Sequence, residues 1–215
     1  LRKQPFKLAK LADLIDKNLD FKLKPLTIKS TTFDFTRPYI VGVLNLTQNS
    51  FSDGGDFFEF DKAAKRLFEM IEEGADIIEL GAESTKPFSS PVCAELQLEK
   101  LLPVLELIKE KNIKTPISID TRSAEVAQKC VEAGADIIND VSGLEYDKLM
   151  AETVAKLDVA VIIQHSRGTP ENMQIEPTYT NLIDEIFIKL KNTTDLAIEN
   201  GIKPDPELAD DLRKI

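Results

Sequence analysis

Short apolar runs alternate along this chain with stretches in which apolar residues recur every three or four positions. The first run, Ile40, Val41, Val43 and Leu44, has no helical spacing and predicts a strand over 40–45. It opens into a polar stretch from Asn45 to about Phe60, longer than the roughly 2–6 residues of an ordinary βα connection. Asp61 then suits the N-cap of a helix with Ala63, Ala64, Leu67, Phe68 and Ile71 on one face, ended by Gly74. A strand is predicted over 76–80, followed by the loop GAESTKPFSSPV. The next helix carries Leu98, Leu101, Leu102, Leu105 and Ile108 at core spacing, and Pro103 inside it should kink or split it. A strand over 117–120 leads to a helix with Val126, Ala127, Cys130 and Val131. A strand over 159–163 leads to a long helix with Leu182, Ile183, Ile186, Phe187 and Leu190, ended by Gly201.

An internal echo supports this alternation. EEGADIIEL at 72–80 is answered by VEAGADIIND at 131–140, each a glycine-capped helix followed by a nearly continuous apolar strand, as in a parallel sheet buried on both faces. Five strands alternating with helices predict a parallel α/β protein, either an open sheet or a barrel. Asn45, Glu83 to Thr85, Asp120, Asn139 with Asp140, and His165 all fall at or just past a strand's C-terminal end. Polar groups at five consecutive strand ends fit the mouth of a (β/α)8 TIM barrel better than a single switch-point crevice. With five clear strands, the barrel is incomplete over this sequence, and Asp205 with Pro206 reads as the start of another helix.

The first 38 residues differ from the rest. Leu8, Ala12, Ile15 and Leu19 make an apolar stripe among lysines, predicting a basic amphipathic helix that packs on its own domain more readily than on a membrane or partner. FKLKPLTI and TTFDF read as short strands or turns, and the main domain is placed at 39–215 behind an extension of 1–38. That extension carries nine Lys or Arg against four Asp, whereas the remainder carries 18 basic and 33 acidic residues. The overall charge of −10 argues against a nucleic-acid footprint, and an anionic ligand would need helix N-termini, local bases or a metal. Cys93 and Cys130 form no metal-binding spacing and read as free thiols in a reducing, cytoplasmic setting; no membrane span or signal peptide is visible. The opening Leu1 suggests an excised piece of a longer protein.

Five segments, in order and at fitting spacing, carry a family resemblance: GVLNLTQNSFSDGG, GADIIELGAESTKP, ISIDT, AGADIINDVSG and HSRGTPENMQ. Over about residues 39–201 the sequence closely resembles the dihydropteroate synthases, the folate-pathway enzymes that join a pterin to p-aminobenzoate. Their fold is the (β/α)8 barrel. The resemblance implies that Asp120 accepts from the guanidine-like edge of the pterin and that Asn139 meets the same ring as donor and acceptor. Unaided, Asp120 could instead cap the next helix, and Asn139 could serve a turn before Asp140. The resemblance further implies that Asn45 meets Mg²⁺ and the departing pyrophosphate, that Thr85 donates to that pyrophosphate, and that Lys86 supplies charge beside it. It implies that Phe51 and Pro87 wall the p-aminobenzoate pocket, where sulfonamides bind. As an isolated residue, Phe51 is equally well a loop anchor. His165, the lone histidine, is expected to support the pocket floor by hydrogen bonds, since triads and histidine metal sites lack their parts. Loops 46–60 and 81–94 are expected to be mobile and to close over the substrates. Expected partners are small molecules, pterin diphosphate and p-aminobenzoate, with no nucleic acid or membrane and with a homodimer left open.

The sequence departs from the family in several places. Gln48 and Asn49 replace Pro and Asp, Ala82 replaces Gly, and Lys86 replaces Arg, keeping charge without the bidentate fork. Gln164 stands where an apolar residue is usual. The DPGxGFGK segment, a later lysine and a terminal Arg-x-His have no match, so poor turnover is expected of residues 1–215 alone. Two alternatives remain: a corrinoid-dependent methyltransferase using methyltetrahydrofolate, which has no need of the SFSDGG and EST loops, and a non-catalytic homologue or partner subunit.

Overall fold

The protein is described by a computed structural model covering residues 25–46, 56–84, 89–169, 171–175 and 178–203, with 56–59 as backbone alone. The expected helix at Leu8–Leu19, the candidate site residues Phe51, Thr85, Lys86 and Pro87, and the segment around Asp205 lie outside the described residues. The chain divides into two units, 1–39 and 40–215.

In the first unit, β1 (Leu26–Ile28) pairs antiparallel with β2 (Thr31–Phe33) through a two-residue turn at Lys29 and Ser30, Lys29 having φ 57°. Beyond β2, Tyr39 packs edge-on against Phe33 with ring centroids 5.0 Å apart, lies under the Arg37 guanidinium and donates to Asp34 at 2.7 Å.

The second unit follows the alternation of apolar patterns. Its elements are β3 (Val41–Asn45), α1 (Asp56–Glu72), β4 (Ile77–Gly81), α2 (Ala94–Glu110), β5 (Ile117–Asp120), α3 (Ala124–Glu132), β6 (Ile137–Asp140), α4 (Met150–Leu157), β7 (Ala160–Ile163) and α5 (Leu182–Glu199). The five strands form one sheet, all parallel, in the order of the sequence. That order decides the architecture. A doubly wound sheet reverses strand order at a switch point, which sends its helices to both faces. Sequential order with crossovers of the usual right hand keeps the helices on one face. The fold is α/β of the (β/α)8 barrel type, with five parallel barrel strands among the described residues.

Alternation along the strands gives the sheet two unlike faces. Leu44, Ile78, Leu80, Ile117, Ile119 and Ile138 are buried against Leu67, Leu101, Leu105, Val126, Cys130 and Val154 of the helices. The opposite face carries Val41, Val43 and Asn45 on β3, Glu79 and Gly81 on β4, Ser118 and Asp120 on β5, and Ile137 and Asn139 on β6. Burial on both faces holds for β4 and β6 but fails at the outer strands, where Val41, Val43 and Ile162 are exposed. Among the described residues each outer strand has a sheet neighbour on one side only.

Three local expectations are corrected. Helix α1 spans Asp56–Glu72, so Asp61 lies inside it and is not its N-cap. Helix α2 runs through Pro103 without a break. Pro103 and Glu99, whose carbonyl loses its donor, are both exposed, so water can take that acceptor while Leu101, Val104, Leu105 and Ile108 hold the buried face. Leu102 faces outward, and Val104 fills the position assigned to it. Helix α4 was not foreseen, because its eight residues offer barely two turns of periodicity. Gly74 and Gly134 do end the helices they follow, at φ 97° and 114°.

Candidate active site

Register places the predicted strand-end residues in one row. Asn45 stands opposite Gly81, Gly81 opposite Asp120, and Asp120 opposite Asn139. Paired positions in a sheet face the same way, so three polar side chains share the concave face at the C-terminal mouth, with a glycine between the first two. A Cβ on Gly81 would sit 3.4 Å from Asn45 Oδ1 and 3.7 Å from Asp120 Oδ2. The gap at Gly81 therefore leaves both oxygens open to a common space.

Asp120 is mostly buried among like charges. Burial, then the carboxylates of Glu79, Glu83 and Asp140, push its carboxyl up to about 7, with Arg122 opposing. It does not cap the next helix. Ser123 caps α3 by accepting from Val126 N, and Asp147 Oδ2 accepts from Ala124 N at 2.9 Å. Asp120 is left for other work at the mouth.

Asn139 is likewise released from turn duty, which falls to Asp140. The Asp140 carboxylate accepts from Ser142 N, Ser142 Oγ and Leu144 N at 2.7–3.0 Å, although burial still raises its pKa. Asn139 instead donates through Nδ2 to Glu79 Oε2 at 3.0 Å and accepts at Oδ1 from Gln164 Nε2 at 3.2 Å. Ser118 Oγ donates to the same Glu79 oxygen at 3.2 Å. Gln164, standing where apolar residues are usual, thus serves as a donor to Asn139.

A second buried cluster fixes the stem of the loop that follows β4. Arg122 donates through Nε and Nη2 to the two oxygens of Glu83, at 3.0 and 2.8 Å. Glu83 also accepts from Val92 N at 3.1 Å, and Val92 O accepts from Gln97 Nε2, whose Oε1 accepts from Thr121 Oγ1. These bonds tie the described ends of the 81–94 segment to each other and to the residues that directly follow β5. Neither Glu83 as an anchor nor Arg122 was singled out for this role from sequence. The available signal was an arginine directly after ISIDT, a place where a charge must find a partner if buried.

Past β6 and β7 a cleft of about 780 Å³ is lined by Ser142, Tyr146, Gln164, His165, Arg167 and Tyr179, among others. Arg122 lies 4.0 Å from the Tyr146 ring centroid and Arg167 lies 4.8 Å from that of Tyr179. Gln164 joins the cleft to the row, while Asp120 and Asn139 do not line it. His165 contacts the Tyr179 ring with centroids 6.0 Å apart, rather than making the expected floor hydrogen bond among the described residues. Among those residues, no group of three or more His, Cys, Asp or Glu is arranged to hold a metal ion, and no helix is long and apolar enough to cross a membrane.

Comparison with known proteins identifies relatives of this chain. The chain is 41% identical over 174 residues to the dihydropteroate synthase of Clostridium beijerinckii, covering 81% of this chain and 62% of that one. It is 36% identical over 199 residues to the dihydropteroate synthase of Synechocystis, covering 92% and 68% respectively. The crystal structure of Yersinia pestis dihydropteroate synthase with a sulfonamide drug superimposes with a TM-score of 0.76 at 33% identity, over 84% of this chain and 65% of that one. The chain thus spans roughly two thirds of the length of these relatives. Residues 41–212 match the family described as pterin binding enzyme, a span that contains all five strands of the parallel sheet and the row Asn45, Asp120 and Asn139, and the chain belongs to that family.

Proposed function

We propose that this chain forms the greater part of a dihydropteroate synthase, condensing 6-hydroxymethyl-7,8-dihydropterin diphosphate with p-aminobenzoate to give dihydropteroate and pyrophosphate. The observation that carries this is the row at the mouth. Asp120 offers a carboxylate to the paired donors of a pterin edge, and Asn139 offers one donor and one acceptor beside it. Relatives named dihydropteroate synthase, and the sulfonamide held by one of them, support the assignment.

In the reaction, the amine nitrogen of p-aminobenzoate forms a bond to the pterin methylene carbon. The C–O bond to diphosphate breaks, its electron pair leaves with pyrophosphate, and the amine proton is lost. The pterin ring spreads the developing positive charge, so no strong base is required. Asp120, ionised, stabilises that charge and fixes the ring, and Asn139 aligns it. Thr85 and Lys86 are assigned to the leaving diphosphate, and Phe51 and Pro87 to the p-aminobenzoate pocket, from the family resemblance alone.

The residues present fit a magnesium ion. Asn45 Oδ1 borders the space left by Gly81, and one neutral oxygen completed by diphosphate oxygens and water suits Mg²⁺. Bound there, the ion would neutralise charge on the leaving group. Free thiols at Cys93 and Cys130 fit a reducing, cytoplasmic setting.

Calorimetric titration with 6-hydroxymethylpterin tests the assignment. Binding that is lost on Asp120→Asn and on Asn139→Ala supports it. Binding that neither substitution alters, or tighter binding of methyltetrahydrofolate than of the pterin, overturns it.

A further inference from the structure

Resting on the pterin assignment above, we infer that Glu79 is a positioning residue: it locks the Asn139 amide in one orientation and so decides which edge of Asn139 reads the pterin ring. Glu79 lies two residues below the mouth on β4, on the concave face and more than nine-tenths buried. Its Oε2 accepts from Ser118 Oγ at 3.2 Å and from Asn139 Nδ2 at 3.0 Å. An oxygen that accepts from both groups admits the NH₂ of Asn139 and repels its carbonyl. Gln164 acts in concert from the other side, presenting Nε2 to Asn139 Oδ1. Flipping Asn139 would set oxygen against carboxylate at one end and two NH₂ groups against each other at the other.

The lock leaves Asn139 with a definite remainder. One of its two N–H donors is used by Glu79 and one of its two oxygen lone pairs by Gln164. One donor and one acceptor are left, in a fixed order, for a ligand at the mouth. A freely turning amide would present either order and would distinguish a heterocycle from its donor–acceptor mirror image poorly. Ser118, wholly buried next to it in the same register, keeps the carboxylate from swinging away.

The test compares Glu79→Met, which keeps length but removes the acceptor, with Glu79→Gln, which keeps an oxygen able to accept from Asn139. Calorimetry with 6-hydroxymethylpterin, thermal unfolding and the ¹⁵N–¹H signals of the Asn139 side chain are measured on each. Glu79→Met should weaken pterin binding at least tenfold with a fall in Tm that is no larger than two buried donors without an acceptor would cause. Its Asn139 side-chain signals should shift toward the positions of an amide free of the Glu79 hydrogen bond. Glu79→Gln should restore binding to within about threefold and keep the Asn139 side-chain signals near their wild-type positions. If Glu79→Met fails to fold, Glu79→Asp, one methylene too short to reach Asn139, takes its place with the same expected loss. Equal pterin binding by wild type and Glu79→Met, or loss in Glu79→Gln as large as in Glu79→Met, overturns the inference. Failure of the wild type to bind pterin would sink the functional assignment instead, and the Asn139 signals would still report whether Glu79 holds the amide.

Discussion

Arg122 and Glu83, 39 residues apart in sequence, close a two-pronged ion pair of 3.0 and 2.8 Å with both side chains buried. The geometry is the fork-to-carboxylate match that a lysine cannot make. Its effect is to tie Glu83, just past β4, to the residues that follow Asp120 and, through the Val92 amide, to the start of α2.

Breaking this pair from one side should be costly. Arg122→Met leaves the Glu83 carboxylate buried without its counter-charge, a loss of about 3–5 kcal/mol by precedent for buried pairs. Urea unfolding should show the drop, and the double substitution Arg122→Met with Glu83→Leu should recover most of it. A single substitution that costs nothing would mean that the pair is open to water.

Hydrogen exchange follows from the same contacts. The Val92 amide, donating to Glu83, should be protected in the ligand-free protein and should lose that protection in Arg122→Met. Fast exchange at Val92 in the wild type would restore the picture of a wholly mobile loop.

Asp120 makes stability depend on pH in a direction opposite to that of most carboxylates. Its folded value of about 7 lies above the ordinary carboxylate value it has when unfolded. Between about pH 4 and 7 the folded protein therefore holds a proton that the unfolded chain has released. Stability falls as pH rises through that window. Asp120→Asn should remove this slope and be more stable than wild type at pH 8, with the difference vanishing near pH 4. Thermal melts across the range give the answer, and a parallel pH profile for both proteins would refute it.

Ligand binding should run the other way. The pterin donors require the ionised carboxylate, so pterin affinity should rise with pH up to about 7 and then level off. At pH 8, Asp120→Asn should bind some 10- to 100-fold more weakly, the loss of a charge-assisted hydrogen bond. A pH-independent wild-type affinity would mean that Asp120 binds as the neutral acid.

Two glycines separate structure from site. At Gly143, φ is +67° and a Cβ would lie 2.7 Å from Gln164 O, so Gly143→Ala should cost about 1–3 kcal/mol and disturb the Gln164–Asn139 bond. At Gly81 a methyl meets only ordinary contacts, so Gly81→Ala should unfold at the wild-type temperature while losing ligand affinity by filling the space between Asn45 and Asp120. Calorimetry beside a thermal melt distinguishes the two outcomes.

The sequence by itself determined what is local. Runs such as IIEL and IIND are strands because their apolar residues have no helical period, and Gly74 and Gly134 end helices because the backbone there turns left-handed. Asn45, Asp120 and Asn139 could be picked out because each stands where an apolar run stops. Tertiary structure alone decided what each side chain meets. Glu79 was visible only as a charge within an apolar strand, and its hydrogen-bond partners come from 39 and 60 residues away. Glu83 was visible only as one of several polar residues past a strand end, and its buried pairing with Arg122 was not. Helix α4 was too short to announce itself, and Pro103 was carried inside α2 by the packing of its neighbours. The physical reason is that periodicity and backbone preference act over a few residues. Strand register brings distant side chains into low dielectric, where each charge must find its counterpart.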